Sequence, residues 1–257
     1  MNTPRFRNAI VRMPCKNMVN GITSANLGKP DYSLACRQHD KYIEALTSCG
    51  LHVDILDANE AYPDSTFIED VALLTSECAV ITNPGALSRK GEEKDVVRII
   101  EKHYKHVEFI REPGTIEAGD IMMAGSHYYI GLSERTNKEG VRQMTETLRK
   151  YGMDASTVEL REVLHLKTGV AYLEHNNMVT AGEFISHPVF QEFNLLKVGG
   201  NEAYAANCIW VNETVIVPFG YPQTKNMIAS FGYRIIDVDL SEFQKLDGGA
   251  SCLSLRF

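Results

Sequence analysis

The chain ends in LDGGASCLSLRF, which sets the thiol of Cys252 behind Gly248 and Gly249, at the mouth of a last short strand-like run. A thiolate is a nucleophile, so the question is which acids and bases accompany it. Polar residues of the types that do chemistry cluster in a few short stretches. PDSTFIEDVA carries Asp64, Glu69 and Asp70, GTIEAGD carries Glu117 and Asp120, LHLKTG carries His165 and Lys167, and YAANC carries Asn207. One Cys, one His and several carboxylates are the set that covalent catalysis with a general acid/base requires. Each has a plainer reading. A cysteine is more often a small core residue than a nucleophile, and Cys15, Cys36, Cys49, Cys78 and Cys208 lie in apolar or helical contexts that suit it. His165 between two leucines also reads as a hydrogen-bonded core histidine, Glu69-Asp70 as a hairpin flank, and His103 and His106 as a solvated helix end. Position along the chain lifts Cys252, His165, Glu117 and Asp70 above the plainer reading and leaves both readings open.

One block recurs: a polar lead, an apolar run, a short polar turn and a second apolar run. It is seen in EDVALLTSECAVITNPG, GDIMMAGSHYYIGLS, TGVAYLEHNNMVTAGE and NCIWVNETVIVPFG. The turns SE, GS, EHNN and NET have hairpin composition. A helix and a further strand follow most blocks. NKEGVRQMTETLRKYG puts Val141, Met144, Leu148 and Tyr151 on one helical face, with Asn137 as cap and Gly152 as stop. EEKDVVRIIEKHY and DYSLACRQHDKYIEALTSCG behave alike, and HVEFI, STVEL, RIIDVD and HVDILD supply the strands. The blocks begin near Asp70, Asp120, Gly169 and Cys208, a period of roughly 40–50 residues. One more period reaches Cys252, where CLSLRF is half a hairpin and the chain stops. NAIVRMP at the other end is the missing half. The pattern predicts a closed ring of five ββαβ units, an α/β fold sealed by pairing the terminal strands, as one domain over 1–257. In such a ring the polar leads lie near the axis, which brings Cys252, His165, Glu117 and Asp70 together from distant segments.

Composition narrows the classes. The net charge of −7 disfavours nucleic acid and favours cationic ligands. MNTPRFRNAIVRMP has no apolar run of a signal peptide, and no later stretch suits a membrane span. The six cysteines show no CxxC or metal-type spacing and read as reduced cytosolic thiols.

The stretches GITSANLGKPDY, PDSTFIEDVA, ITNPGALSRKGE, PGTIEAGDIMM, YIGLSERTNKEG, VLHLKTGVAYLEHNN, YAANCIWVNE and DGGASCLSLRF resemble the dimethylarginine dimethylaminohydrolase family, of the guanidino-group-modifying (pentein) superfamily, end to end. The resemblance implies a five-bladed α/β propeller with pseudo-five-fold symmetry and its active site on the axis. It implies hydrolysis of Nω-methylated arginine to citrulline and a methylated amine. The family's nucleophile falls on Cys252 and its general acid/base on His165. The carboxylates that grip the guanidinium fall on Asp70 and Glu117, the latter counted among the catalytic residues. Asp64, Arg89 and Arg135 correspond to residues that hold the amino-acid end, and Glu69 and Leu246 to pocket-lining positions. The flap residue, commonly Leu, is Ile22, and FIEDVALL departs from some bacterial relatives. No metal or organic cofactor is expected. The expected partner is a small cationic amino acid; a homodimer is allowed, and nucleic acid and membrane are not expected.

A guanidinium carbon is a poor electrophile, so its planar fork must be held by charge-assisted bonds before a thiolate attacks. A substrate cation at ~4 Å and an effective dielectric of ~20 stabilises the thiolate by roughly 4 kcal/mol, about three pKa units. On a normal thiol that suffices to reach below neutrality. Two other readings stand beside this one: an arginine or agmatine deiminase on the same scaffold, and a propeller that binds a macromolecule without catalysis.

Overall fold

The structure is a computed structural model that describes residues 5–257. The expectation about an export leader falls partly on residues 1–4, outside the described residues. Strand β1 (Asn8–Arg12) is followed by the largely exposed residues 22–29 and by helix α1 (Tyr32–Ser48), then β2 (His52–Leu56). Asp31 starts α1 by accepting the Leu34 N–H at 2.8 Å. Next come β3 (Ala72–Leu74), β4 (Ala79–Ile81), α2 (Lys94–His103) and β5 (Val107–Phe109). The same order repeats in β6 (Ile121–Ala124), β7 (His127–Leu132), α3 (Lys138–Lys150) and β8 (Asp154–Glu159). Asn137 caps α3 through the Gly140 N–H at 2.8 Å, and Gly152 leaves it in the left-handed region.

The next repeat departs from the pattern. A single helical turn, α4 (Leu166–Gly169), leads into β9 (Val170–Tyr172), β10 (Asn177–Ala181) and β11 (Asn194–Val198). Two 3-10 turns, Gly182–Ser186 and Pro188–Phe190, stand where a helix connects the other strands. Pro188 lacks the N–H that would continue a helix, and the turns bury Phe184 and Phe190 instead. The regular order returns in β12 (Ile209–Val211), β13 (Thr214–Pro218), α5 (Pro222–Ser230) and β14 (Arg234–Val238), followed by α6 (Ser241–Gln244) and β15 (Leu255–Arg256).

These strands form five three-stranded sheets. In four of them an antiparallel hairpin is followed by a parallel third strand. The hairpin turns place Glu174, His175 and Asn176, and Asn212 and Glu213, at positive φ, where short polar side chains are tolerated best. The fifth sheet joins the chain's ends: β15 pairs antiparallel with β1 through Ala9–Arg256 and Ile10–Leu255, and β2 lies parallel on its other side.

Each apolar cluster bridges two sheets. Ile10 packs with Ile81, Cys78 with Ile130, Met122 with Met178, Val179 with Trp210, and Val211 with Ala9, which returns to the first sheet. Among the described residues, no helix is long and apolar enough to cross a membrane.

Candidate active site

A short helical turn enters each sheet. Ile68–Val71 precedes β3, Ala118–Asp120 precedes β6, α4 precedes β9, Gly200–Ala206 precedes β12 and Ser251–Leu253 precedes β15. The first packs on the second and the last, while α4 packs on the second and fourth. Asp70 lies in the first turn, Glu117 and His165 are the N-caps of the second and of α4, and Asn207 is the C-cap of the fourth. Cys252 sits within the last turn. The thiol is thus on a 3-10 turn before the strand, and β15 begins three residues later. A Cβ on Gly248 would meet the Phe67 ring at 2.1 Å, so the loop packs where only glycine fits.

The turns bring the polar residues to one cavity. It is lined by Asp70, Glu117, His165 and Cys252, by Asp64, Arg89 and Arg135, and by Ile22 and Leu246. His165 Nε2 lies 2.8 Å from Glu117 Oε2, and Glu117 Oε1 accepts the Ala86 N–H at 3.2 Å. Asp70 Oδ1 accepts the Gly119 N–H at 3.0 Å, and Oδ2 pairs with Arg89 NH1. A Cβ on Gly119 would fall 2.6 Å from Asp70 Oδ1 and 2.9 Å from His165 Nδ1, so glycine there lets the two groups close on each other. Asp120 points elsewhere. It accepts the Leu166 N–H at 2.9 Å and the hydroxyls of Ser133 and Thr136 at 2.6 Å, which fixes the turn that follows His165.

At the cavity's outer edge the Ile22 N–H donates to Asp64 Oδ1 at 3.0 Å, the Thr23 hydroxyl to the Lys245 carbonyl at 2.8 Å, and the Ser24 N–H to Asp247 Oδ2 at 2.5 Å. Ile22, 38% exposed, lines the cavity at its surface edge.

Burial pushes the Cys252 thiol up to about 12, with Glu69 and then Asp70 adding to the effect. This revises the expectation drawn from an ordinary thiol: one substrate charge, at about three units, lowers it only to roughly 9. Burial disfavours the charge on His165, but Asp70, the Glu117 hydrogen bond and Asp120 outweigh it and raise the imidazole to about 9. Asp70 itself stays below its usual range: burial raises it, while His165 and Arg89 more than compensate. Cys208 is also raised to about 12, by burial within an apolar cluster, as suits a core residue.

Two expected residues stand differently from the expectation. Glu69 does not line this cavity. It lines a second one, with Lys167, Ser251 and Arg256, and pairs with Lys167 Nζ at 2.5 Å. Successive side chains of a 3-10 turn are about 120° apart, so Glu69 and Asp70 separate. Arg89 lines the cavity, but its guanidinium is committed to Asp70, to both oxygens of Glu92 and to the Phe67 carbonyl. Arg135 makes no ion pair among the described residues. Phe67, Leu164, Asp247 and Gly248 also line the site and were not anticipated. Glu92, three residues beyond Arg89 and 1% exposed, was likewise missed; its buried pairing is the signal that ITNPGALSRKGE contained. Asp70, Glu117 and His165 are the described residues whose ligand atoms lie near enough, within 4.8 Å, to hold a metal ion. Their other capability is to surround an organic cation.

Comparison with known proteins agrees with this geometry. Residues 29–192 match the family model described as N,N dimethylarginine dimethylhydrolase, eukaryotic. The N(G),N(G)-dimethylarginine dimethylaminohydrolase of Pseudomonas aeruginosa is 55% identical over 98% of this chain and 100% of its own. The enzyme of the same name from Streptomyces coelicolor is 32% identical over 97% of this chain and 96% of its own. A solved structure of the Pseudomonas enzyme, a cysteine-to-serine mutant complexed with citrulline, superposes with a TM-score of 0.98 at 55% identity, covering 99% of this chain and 100% of that one. The N-terminal domain of the cyanobacterial arginine dihydrolase ArgZ shares the fold at a TM-score of 0.88 and 20% identity, over 98% of this chain and 97% of that one. With the fold, the cavity and these full-length likenesses in agreement, the chain belongs to the dimethylarginine dimethylaminohydrolase family.

Proposed function

We propose that the protein hydrolyses Nω-methylated arginine to citrulline and a methylated amine. The observation that carries this reading is a cavity in which Cys252 and His165 face two buried carboxylates, Asp70 and Glu117, with Arg135 at its edge. The carboxylates accept from the planar guanidinium and hold its carbon before the sulfur. The substrate's charge favours the thiolate, which attacks that carbon and forms a C–S bond. His165, held in its charged form by the surrounding carboxylates, donates a proton to the methylated nitrogen, which leaves as the neutral amine. Water then attacks the thiouronium carbon, gives up its proton to His165, and the C–S bond breaks to release citrulline. In this reading Asp64, with the Ile22 flap, receives the substrate's α-amine. Arg135 is the main cation for the carboxylate, since Arg89 is already neutralised by Asp70 and Glu92. Leu246 packs beside the aliphatic stem.

The five sheets, the cyclic run of bridging clusters and the β1–β15 pairing support a five-bladed propeller, with pseudo-five-fold symmetry and the site on its axis, as one domain over the chain. The free cysteines support a reducing, cytosolic setting.

The test is substrate choice. Agmatine has the same guanidinium but no carboxylate and leaves Arg135 without its anion. Losing one charge-assisted contact makes agmatine roughly 30- to 150-fold poorer than dimethylarginine in kcat/KM. Arg135→Ala should shrink that ratio. Equal or better use of agmatine by the unchanged protein would replace this reading by a deiminase one.

A further inference from the structure

The turn Gly200–Ala206 and the loop carrying the nucleophile meet at three polar points. The Tyr204 hydroxyl donates to the Gly248 carbonyl at 2.7 Å. The Ser251 N–H donates to Asn207 Oδ1 at 2.9 Å. Asn207 Nδ2 points at Cys252 Sγ from 3.9 Å. Asn207 is buried, and a Cβ on Gly249 would lie 2.4 Å from its Cγ, so residue 249 leaves space for that carboxamide alone. The Gly249 N–H reaches the same sulfur at 3.4 Å. Two N–H donors therefore converge on the reacting atom. A neutral thiol gains little from them at these distances, whereas an anion draws a charge-assisted bond. The sulfur needs such help, because Glu69 and Asp70 both oppose its charge and one substrate cation offsets only part of that.

We infer that Asn207 is a positioning residue for the reaction: its carbonyl oxygen fixes the Ser251 amide, and its N–H, with that of Gly249, favours the thiolate of Cys252. The inference rests on the proposed function only in taking Cys252 as the nucleophile; the substrate's identity does not enter.

The test reads the thiol itself. Asn207→Asp keeps an acceptor for Ser251 and replaces the donor by a carboxylate oxygen. Alkylation of Cys252 by iodoacetamide, followed by peptide mass spectrometry between about pH 8 and pH 10, should slow by about tenfold or more. Turnover of dimethylarginine should fall in kcat with KM within about threefold of the unchanged protein's. Asn207→Ala, which removes the donor without adding charge, should slow alkylation by about threefold or more and carries the test if the Asp variant does not fold. A folded variant whose alkylation profile matches the unchanged protein's overturns the inference, even if turnover is lost, because the role would then be structural. Slowed alkylation in a protein that ignores dimethylarginine would keep the inference and reject the substrate.

Discussion

Cys252 has to become an anion beside Glu69 and Asp70, and that constraint shapes the chemistry at the residue scale. With the thiol near 12 and His165 near 9 before substrate binds, the reactive pair of thiolate and imidazolium is a minor form at neutral pH. Below about pH 9 the thiol is neutral and His165 charged, so each lost proton must come from sulfur. The second-order constant kcat/KM should therefore rise about tenfold per pH unit towards pH 9 and level off above it, where proton loss from His165 cancels the gain. A fall in kcat/KM between about pH 7 and pH 9 would contradict this ordering. Cys252→Ser should keep the fold and lose turnover, whereas Cys208→Ser, at a core thiol without acid or base beside it, should keep most activity. Loss of chemistry in a folded Cys208→Ser protein would move the nucleophile. Cys252, His165, Glu117 and Asp70 were legible because each falls in the polar lead of a repeat and in a motif that resembles the family's. Glu69 was not, since neighbours in sequence say nothing about which side of a turn each faces.

At the scale of elements, α1 carries much of the support for the nucleophile's loop. Tyr42 is fully buried and donates to the Ala250 carbonyl at 2.7 Å, with Ser254 Oγ also at 2.7 Å. One turn earlier, His39 packs against Phe243 of α6, and neither of its ring nitrogens finds a partner among the described residues. Burial lowers its pKa to about 4. The unfolded chain, with an ordinary histidine, binds the proton first on acidification. Stability from this site is thus complete above about pH 6.5 and falls as pH drops toward 4, by on the order of 2–3 kcal/mol. His39→Leu should flatten the decline of the melting temperature across that window, and an unchanged decline would assign it to other groups. The helices with clean apolar stripes and caps were readable in advance. The link from β10 to β11 was not, because EFISHPVF has the apolar content of a helix but hides its proline break among aromatic anchors.

For the whole molecule, the half-hairpin at each end of the chain foretold the β1–β15 pairing, since an unpaired strand edge in an otherwise regular repeat needs a partner. The second cavity was invisible in sequence because neighbours such as Glu69 and Asp70, Glu117 and Ala118, and Ser251 and Cys252 line different cavities. Residues from distant turns meet in one cavity around the sulfur of Cys252, and the covalent adduct on that sulfur is the central step of the proposed chemistry. Acid-quenched peptide mass spectrometry during turnover of asymmetric dimethylarginine should find a thiouronium on the peptide carrying Cys252, decaying one-for-one into citrulline. Turnover with Cys252 unmodified throughout, or an adduct on any other residue, would contradict it.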